Sequence, residues 1–298
     1  MALVLVALAL LAGWRSEAPL PAPRSEVAAA RLGSSVVVVG GYTADGSSSS
    51  RVDAYSTATG TWRRLPDLPV VANHAMAAAA GERLYVVGGY APDGSRRRDA
   101  FVLDSGRWRR LPSMPSSRAA GGAAVVGARL YVAGGVSGSP DARRLARFML
   151  VLDLRTRRWT TVPGPAPREH LGVVASTGKL YTAGGRAYGY DTNVATVESF
   201  TPGTGRWHGL PPLPSPRGGT GLAAVPGGLV SAGGEEPAGA IASVYRYAFA
   251  TRRWTRLPDL PTPRHGLAVV GVGSRVYVVA GGPTPGLSVS GANESFAP

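Results

Sequence analysis

Residues Arg83–Tyr90 read RLYVVGGY. A run of β-forming side chains stops at two glycines, and an aromatic follows. One such pair marks any turn, but this chain repeats nearly the same phrase six times. The first glycine falls at Gly40, Gly88, Gly134, Gly184 and Gly233, and Ala280 takes the sixth place, before Gly281. The steps are 48, 46, 50, 49 and 47 residues. The six tryptophans, Trp14, Trp62, Trp108, Trp159, Trp207 and Trp254, step by 48, 46, 51, 48 and 47, one in each copy. A third marker is independent of both. Pro21, Pro69, Pro115, Pro165, Pro214 and Pro261 each stand three residues before Arg24, Ala72, Arg118, Arg168, Arg217 and Arg264, and from there to the first-glycine position is 16 residues in every copy. Three markers on one period define a repeat architecture.

Each copy predicts four short strands. In the second copy AMAAAA (75–80) is small and apolar and suits a crowded inner strand. GERLYVVGG turns and runs as the second strand, RDAFVLD (98–104) alternates as the third, and RWRRLP (107–112) is the fourth. Runs of this length, bounded by Gly, Asp, Ser and Pro, are antiparallel strands and not helices. A glycine pair where the second strand ends permits positive φ and a close backbone approach.

A double glycine after a Tyr-containing strand, a Trp about twenty residues on, then Leu-Pro: the phrase resembles the kelch repeat over Trp14–Pro298. The resemblance implies an all-β fold, a six-bladed β-propeller with one four-stranded blade per repeat. Val37 and Val230 stand where Tyr85, Tyr131, Tyr181 and Tyr277 carry the motif's tyrosine, and Ala280 replaces a glycine. A lone blade cannot bury both faces, whereas six in a ring cover each other, with each tryptophan filling the gap between neighbours. The last copy has a third strand, NESFAP, resembling VESFTP (197–202), but no Trp and no fourth strand after it. The stretch 13–24, GWRSEAPLPAPR, resembles the fourth-strand segment RWTTVPGPAPR (158–168). Trp14 and its neighbours are therefore expected to supply the outer strand of the sixth blade, so that the two chain ends clasp and remove the open seam. Residues 13–298 read as one domain.

Composition narrows the chemistry. There is no cysteine, which excludes disulfides, thiolate nucleophiles and the Tyr–Cys crosslink that copper radical oxidases of the kelch-like group require. The formal charge is +14, and Lys179 is the only lysine, so arginine carries the field that favours anionic partners. Much of that arginine lies in the outer strands, dispersed around the rim and without an aromatic platform, which argues against specific nucleic-acid readout. Ala2–Ala12 is wholly apolar and too short to span a bilayer. It resembles the apolar segment of a secretory signal, so the expected location is secreted, periplasmic or cell-surface, with a cut at or before Gly13. The alternatives are a retained anchor, which alone would bring membrane association, or a cytoplasmic protein with a misplaced start.

Site candidates come from one register. Arg24, Arg118, Arg168, Arg217 and Arg264 lie where the chain crosses inward to start the inner strand. Sixfold geometry would set their guanidinium groups around one mouth of the channel, ready for carboxylate or phosphate. Repetition in nearly every blade also suits a structural job, each Arg bonding loop carbonyls and holding its own crossover. The next two positions break the symmetry: Ser25-Glu26, Asn73-His74, Ala119-Ala120, Glu169-His170, Gly218-Gly219 and His265-Gly266. Glu26, His74, Glu169, His170 and His265 are thus candidates for ligand binding. His74, His170 and His265 stand two blades apart, and convergence on one ion needs a narrow channel, so no metal site and no cofactor are assigned. The two-to-three loops share that face and vary in length and charge, which is where recognition resides on a fixed scaffold.

G-x-S-x-G, H-E-x-x-H, P-loop and sialidase-type turns are all absent from the sequence. The expectation is a monomeric, non-catalytic binding scaffold that takes an anionic protein segment or an acidic glycan on the channel-mouth face. The alternative is a carbohydrate-active enzyme, such as a sugar epimerase, working through acid and base groups at the mouth. A closed pocket holding Glu169 and His170 with a desolvated carboxylate would favour the enzyme; an open basic mouth would favour binding.

Overall fold

The computed structural model describes residues 13–139 and 141–298. The expected secretory segment at Ala2–Ala12 lies outside them. Among the described residues the only helical turn is Tyr190–Thr192, and no helix is long and apolar enough to cross a membrane.

Six four-stranded antiparallel sheets follow one another along the chain. The first is built from Ala28–Leu32, Ser35–Val39, Val52–Ser56 and Thr61–Leu65. The second uses Met76–Ala80, Arg83–Val87, Ala100–Asp104 and Arg107–Arg110, each within two residues of the predicted span. The inner strands neighbour one another in sequence order around the axis, and that of the sixth blade, Ala268–Val272, meets that of the first. The ring is closed. Alanine, glycine and valine dominate these inner strands because six of them crowd around a channel of only about 430 Å³.

Six apolar clusters hold the ring, each between two adjacent blades. Each tryptophan is half-buried against the cluster between its own blade and the preceding one. Its indole N–H crosses the gap: Trp108 Nε1 donates to Pro66 O at 2.8 Å and Trp159 Nε1 to Pro112 O at 2.7 Å. Burying a large apolar side chain contributes about 1.5–3 kcal/mol. The N–H needs a partner once its ring leaves water, and the carbonyl of the Leu-Pro segment supplies one.

The clasp forms. Arg15–Ser16 is the outer strand of the sixth sheet, pairing Arg15 with Ser295 and Ser16 with Glu294. Trp14 packs on Phe296, ring centroids 5.3 Å apart, and its indole donates to Pro258 O in the fifth blade. On the other side Trp62 donates to Ala18 O, so both neighbours grip the clasp.

The glycine pairs earn their place at the blade junctions. At Gly184, with φ of +64°, a Cβ would lie 2.6 Å from Arg217 O of the next blade; at Gly185, with φ of +106°, it would lie 2.8 Å from Glu169 O. Ala280 adopts the same left-handed backbone as its glycine counterparts, at φ of +61°.

Candidate functional site

The five arginines point into the body of their blades and not around the mouth. Arg24, Arg118, Arg168, Arg217 and Arg264 are each at most 2% exposed. Every one donates to the carbonyl 16 residues on: Arg24 to Gly40 O at 3.0 Å, Arg118 to Gly134 O at 2.9 Å, Arg168 to Gly184 O at 2.7 Å, Arg217 to Gly233 O at 3.3 Å and Arg264 to Ala280 O at 2.8 Å. That bond accounts for the spacing of 16 in the five copies that carry the arginine; the second copy keeps the same spacing with Ala72 in its place. Third-strand carboxylates neutralise three of them: Asp53 pairs with Arg24, Glu198 with Arg168 and Glu294 with Arg264. Arg217 stacks on Tyr245 instead, 4.9 Å from the ring centroid. Burial lowers Arg118 to about 10, still charged at neutral pH. The expected guanidinium ring facing a ligand is thus corrected: blade carbonyls and carboxylates take the donors.

The residue after each arginine position bridges to the residue after the glycine pair. The bridges are Ser25–Tyr42, Asn73–Tyr90, Ala119–Val136, Glu169–Arg186, Gly218–Glu235 and His265–Gly282. This puts the four-to-one crossovers and the two-to-three loops on one face, as expected.

One residue further, the chain makes a ring within the ring. His74 N donates to Glu26 O, Ala120 N to His74 O, His170 N to Ala120 O, Gly219 N to His170 O and Gly266 N to Gly219 O, at 2.7–3.0 Å. Val27 N closes the circle on Gly266 O at 3.4 Å. All six residues are left-handed, from +49° at His74 to +65° at Gly219, and four of them are not glycine. Such strain persists only where the surroundings over-determine it, and it concentrates at functional sites. The ring narrows the mouth so far that side chains two blades apart meet.

Glu26, His74, His170 and His265 converge there. His74 Nε2 is 3.0 Å from His170 Nε2 and 3.1 Å from Glu26 Oε2, and His170 Nε2 is 3.8 Å from the same oxygen. His265 Nδ1 reaches Glu26 Oε1 at 3.2 Å, and its Nε2 lies 3.0 Å from Thr284 O. Burial drives His74 down to about 4, against the pull of Glu26. For His265 burial also opposes the charge, but the hydrogen bond to Glu26 and the Glu235 carboxylate outweigh it and raise the group. Burial works against the Glu26 carboxylate too, yet the surrounding histidines hold it below the usual carboxylate range. Glu26 thus favours its anionic form, while burial disfavours the charged form of His74.

Glu169 is fully buried one layer away. Arg143 pairs with it, Arg186 Nε lies at 3.9 Å and His170 Nδ1 at 3.7 Å. Despite burial, His170 and Arg143 hold its carboxyl low. The desolvated carboxylate set as the mark of an enzyme is present, but it is locked as an ion pair.

Two members of the cluster were not among the sequence candidates: Glu235 and Arg186, which pair at 2.6 Å. The signal was available, since both follow a glycine pair, the register that bridges to the crossover. Tyr42 and Tyr90 share that register and stand edge-on to His74, centroids 5.8 and 5.3 Å away. Between the loops of the first two blades opens a groove of about 620 Å³, lined by Tyr42, Ser48, Asn73, Tyr90 and Pro92 among others. Further round, Arg143 lies over Tyr188 and Arg186 over Tyr190, each within 5 Å of the ring centroid.

Residues 14–163 and 73–282 match the KLHDC2/KLHL20/DRC7 Kelch-repeats domain. A stretch of 85 residues is 39% identical to the Kelch-like protein terF of Aspergillus terreus. That match covers 28% of this chain and 18% of the fungal protein's length.

Proposed function

The chain belongs to the kelch-repeat family, and from that premise we propose that this propeller is an interaction scaffold whose loop face binds an extended, acidic protein segment. The observation that carries the reading is the groove between the first two loops. Its aromatic walls, Tyr42 and Tyr90, offer flat surface at little entropic cost, and Arg96 and Arg143 lie close to Tyr90. Among the described residues Arg96 pairs with no carboxylate, its guanidinium donating to Gly138 O and Ser139 O, while Arg143 has one, Glu169. A segment rich in Asp and Glu would therefore find cations beside an aromatic trough. Kelch propellers generally bind proteins, which favours a peptide over an acidic glycan.

The test is a peptide and glycan array at physiological salt, where nonspecific attraction is screened. Tyr90→Ala and Arg96→Glu should each weaken the best acidic peptide by at least about tenfold. The rim double variant Arg107→Glu with Arg109→Glu should change affinity less than about threefold. Equal losses from groove and rim would show that only bulk charge matters.

One observation favours a carbohydrate-active enzyme as a second reading: the buried Glu169 beside His170. Against it, Glu169 is held ionised and has no proton to give at neutral pH, and the channel wall is mostly Ala, Gly and Val, poor in groups that orient a sugar. Epimerisation of acidic sugars, followed by NMR and abolished by Glu169→Gln, would reverse the preference.

Export remains a proposal resting on Ala2–Ala12. The mature chain would begin at or before Trp14, because that residue anchors the clasp. N-terminal sequencing of the protein in its native host decides it, and intact Met1 on a cytosolic protein would rule export out.

A further inference from the structure

We propose that Glu26, His74 and His170 form a site for a divalent transition metal such as zinc, with its open coordination position facing the channel. The triangle of Glu26 Oε2, His74 Nε2 and His170 Nε2 has edges of 3.0, 3.1 and 3.8 Å. A point about 2 Å from all three corners exists, the length of a Zn–N or Zn–O bond. Two imidazoles and a carboxylate are a donor set that zinc and its neighbours accept, and three protein ligands leave a position for water or an exogenous group.

The hydrogen bonds around the triangle leave a lone pair aimed at an anion. Asn73 Nδ2 donates to Ser48 Oγ, which turns Asn73 Oδ1 toward His74 Nδ1 at 2.6 Å. His74 therefore carries its proton on Nδ1, and the Nε2 lone pair faces Glu26 Oε2 at 3.1 Å. A lone pair and a carboxylate oxygen at that distance repel unless a hydrogen-bond donor or a cation lies between them. A His170 Nε2–H, 3.0 Å from the same lone pair, is one such donor. A metal ion is the other answer, and with the His170 proton on Nδ1 it uses that ring's lone pair as well. The outer contacts fit the same assignment. His265 donates through Nδ1 to Glu26 Oε1, which leaves Oε2 for the ion. Glu169 Oε1 and His170 Nδ1 are both buried and without a hydrogen-bond partner among the described residues, 3.7 Å apart. A small rotation of the His170 ring joins them as the carboxylate–histidine pair that fixes a ligand tautomer.

The site shares Ser48 and Asn73 with the wall of the peptide groove, but metal binding is read without a peptide and stands or falls by itself. The protein is freed of metal with a chelator and titrated with Zn²⁺ by calorimetry, and with Co²⁺ by visible absorption. We expect one equivalent, a Co²⁺ ligand-field band, and a rise in melting temperature with Zn²⁺. His74→Gln and Glu26→Gln should weaken binding at least about a hundredfold, and Asn73→Ala by about 10–100-fold through loss of the held tautomer. His208→Gln, on an exposed outer strand, should leave binding unchanged. If a ligand variant fails to fold, X-ray absorption on the Zn²⁺-loaded native protein reads the donors directly, and two imidazoles are required. Absence of stoichiometric binding, or binding that survives both ligand variants, overturns the site.

Discussion

At the scale of the residue, the left-handed positions separate two jobs. Ala280 is left-handed at a blade junction where the five equivalent residues are glycine. An L residue there costs about 1–2 kcal/mol, and glycine gives part of that back in chain entropy. Ala280→Gly should therefore stabilise the protein by about 1 kcal/mol, read as a higher midpoint in urea; a lower midpoint would show that the methyl group packs to advantage. Glu26, His74 and His170 adopt the same backbone at a position where two of the six copies carry glycine, Gly219 and Gly266. Their strain holds three side chains at one point on the axis.

At the scale of the element, the arginine that starts each blade acts as an internal brace. It ties the incoming crossover to the end of the second strand, and in three blades to a third-strand carboxylate. Removing one partner of such a buried pair leaves the other uncompensated, at about 3–5 kcal/mol. Arg168→Ala should cost about 3 kcal/mol, because Glu198 remains. Arg118→Ala strands carbonyls but no carboxylate among the described residues, and should cost less. Urea denaturation of both variants orders them; equal losses would mean that the cavity, and not the stranded charge, sets the penalty. The second blade, with Ala72, keeps the junction without the brace: Ala72 O still accepts from Gly41 N at 2.9 Å.

At the scale of the whole molecule, stability depends on closing the circle. Each blade buries its two faces against two neighbours, so a gap anywhere exposes apolar surface on both sides. The clasp prevents that with a two-residue strand, the Trp14 and Trp62 bridges, and Tyr55 donating to Glu17 Oε2 at 2.6 Å. Deleting residues 14–21 should lower the melting temperature sharply and leave Asn293–Phe296 as a bare edge open to pairing with other chains. Differential scanning calorimetry with light scattering checks both effects, and an unchanged melt would show that the ring holds without its clasp.

The number of blades, the four strands of the second blade, the shared loop face and the clasp were all legible in the sequence, because they depend on local period and on which markers each copy lacks. The constant 16-residue interval was visible as well, but not its cause. An arginine near a mouth and an arginine folded back onto its own carbonyl look alike in sequence, and only the direction of the side chain distinguishes them. The meeting of Glu26, His74 and His170 was a matter for tertiary structure alone. They lie 48 and 96 residues apart, in blades that do not adjoin around His74 and His170, and their separation is set by the radius of the closed ring. That radius comes from the crowding of small inner strands and from six left-handed residues hydrogen-bonded in a circle, a property of all six copies together and of no single one.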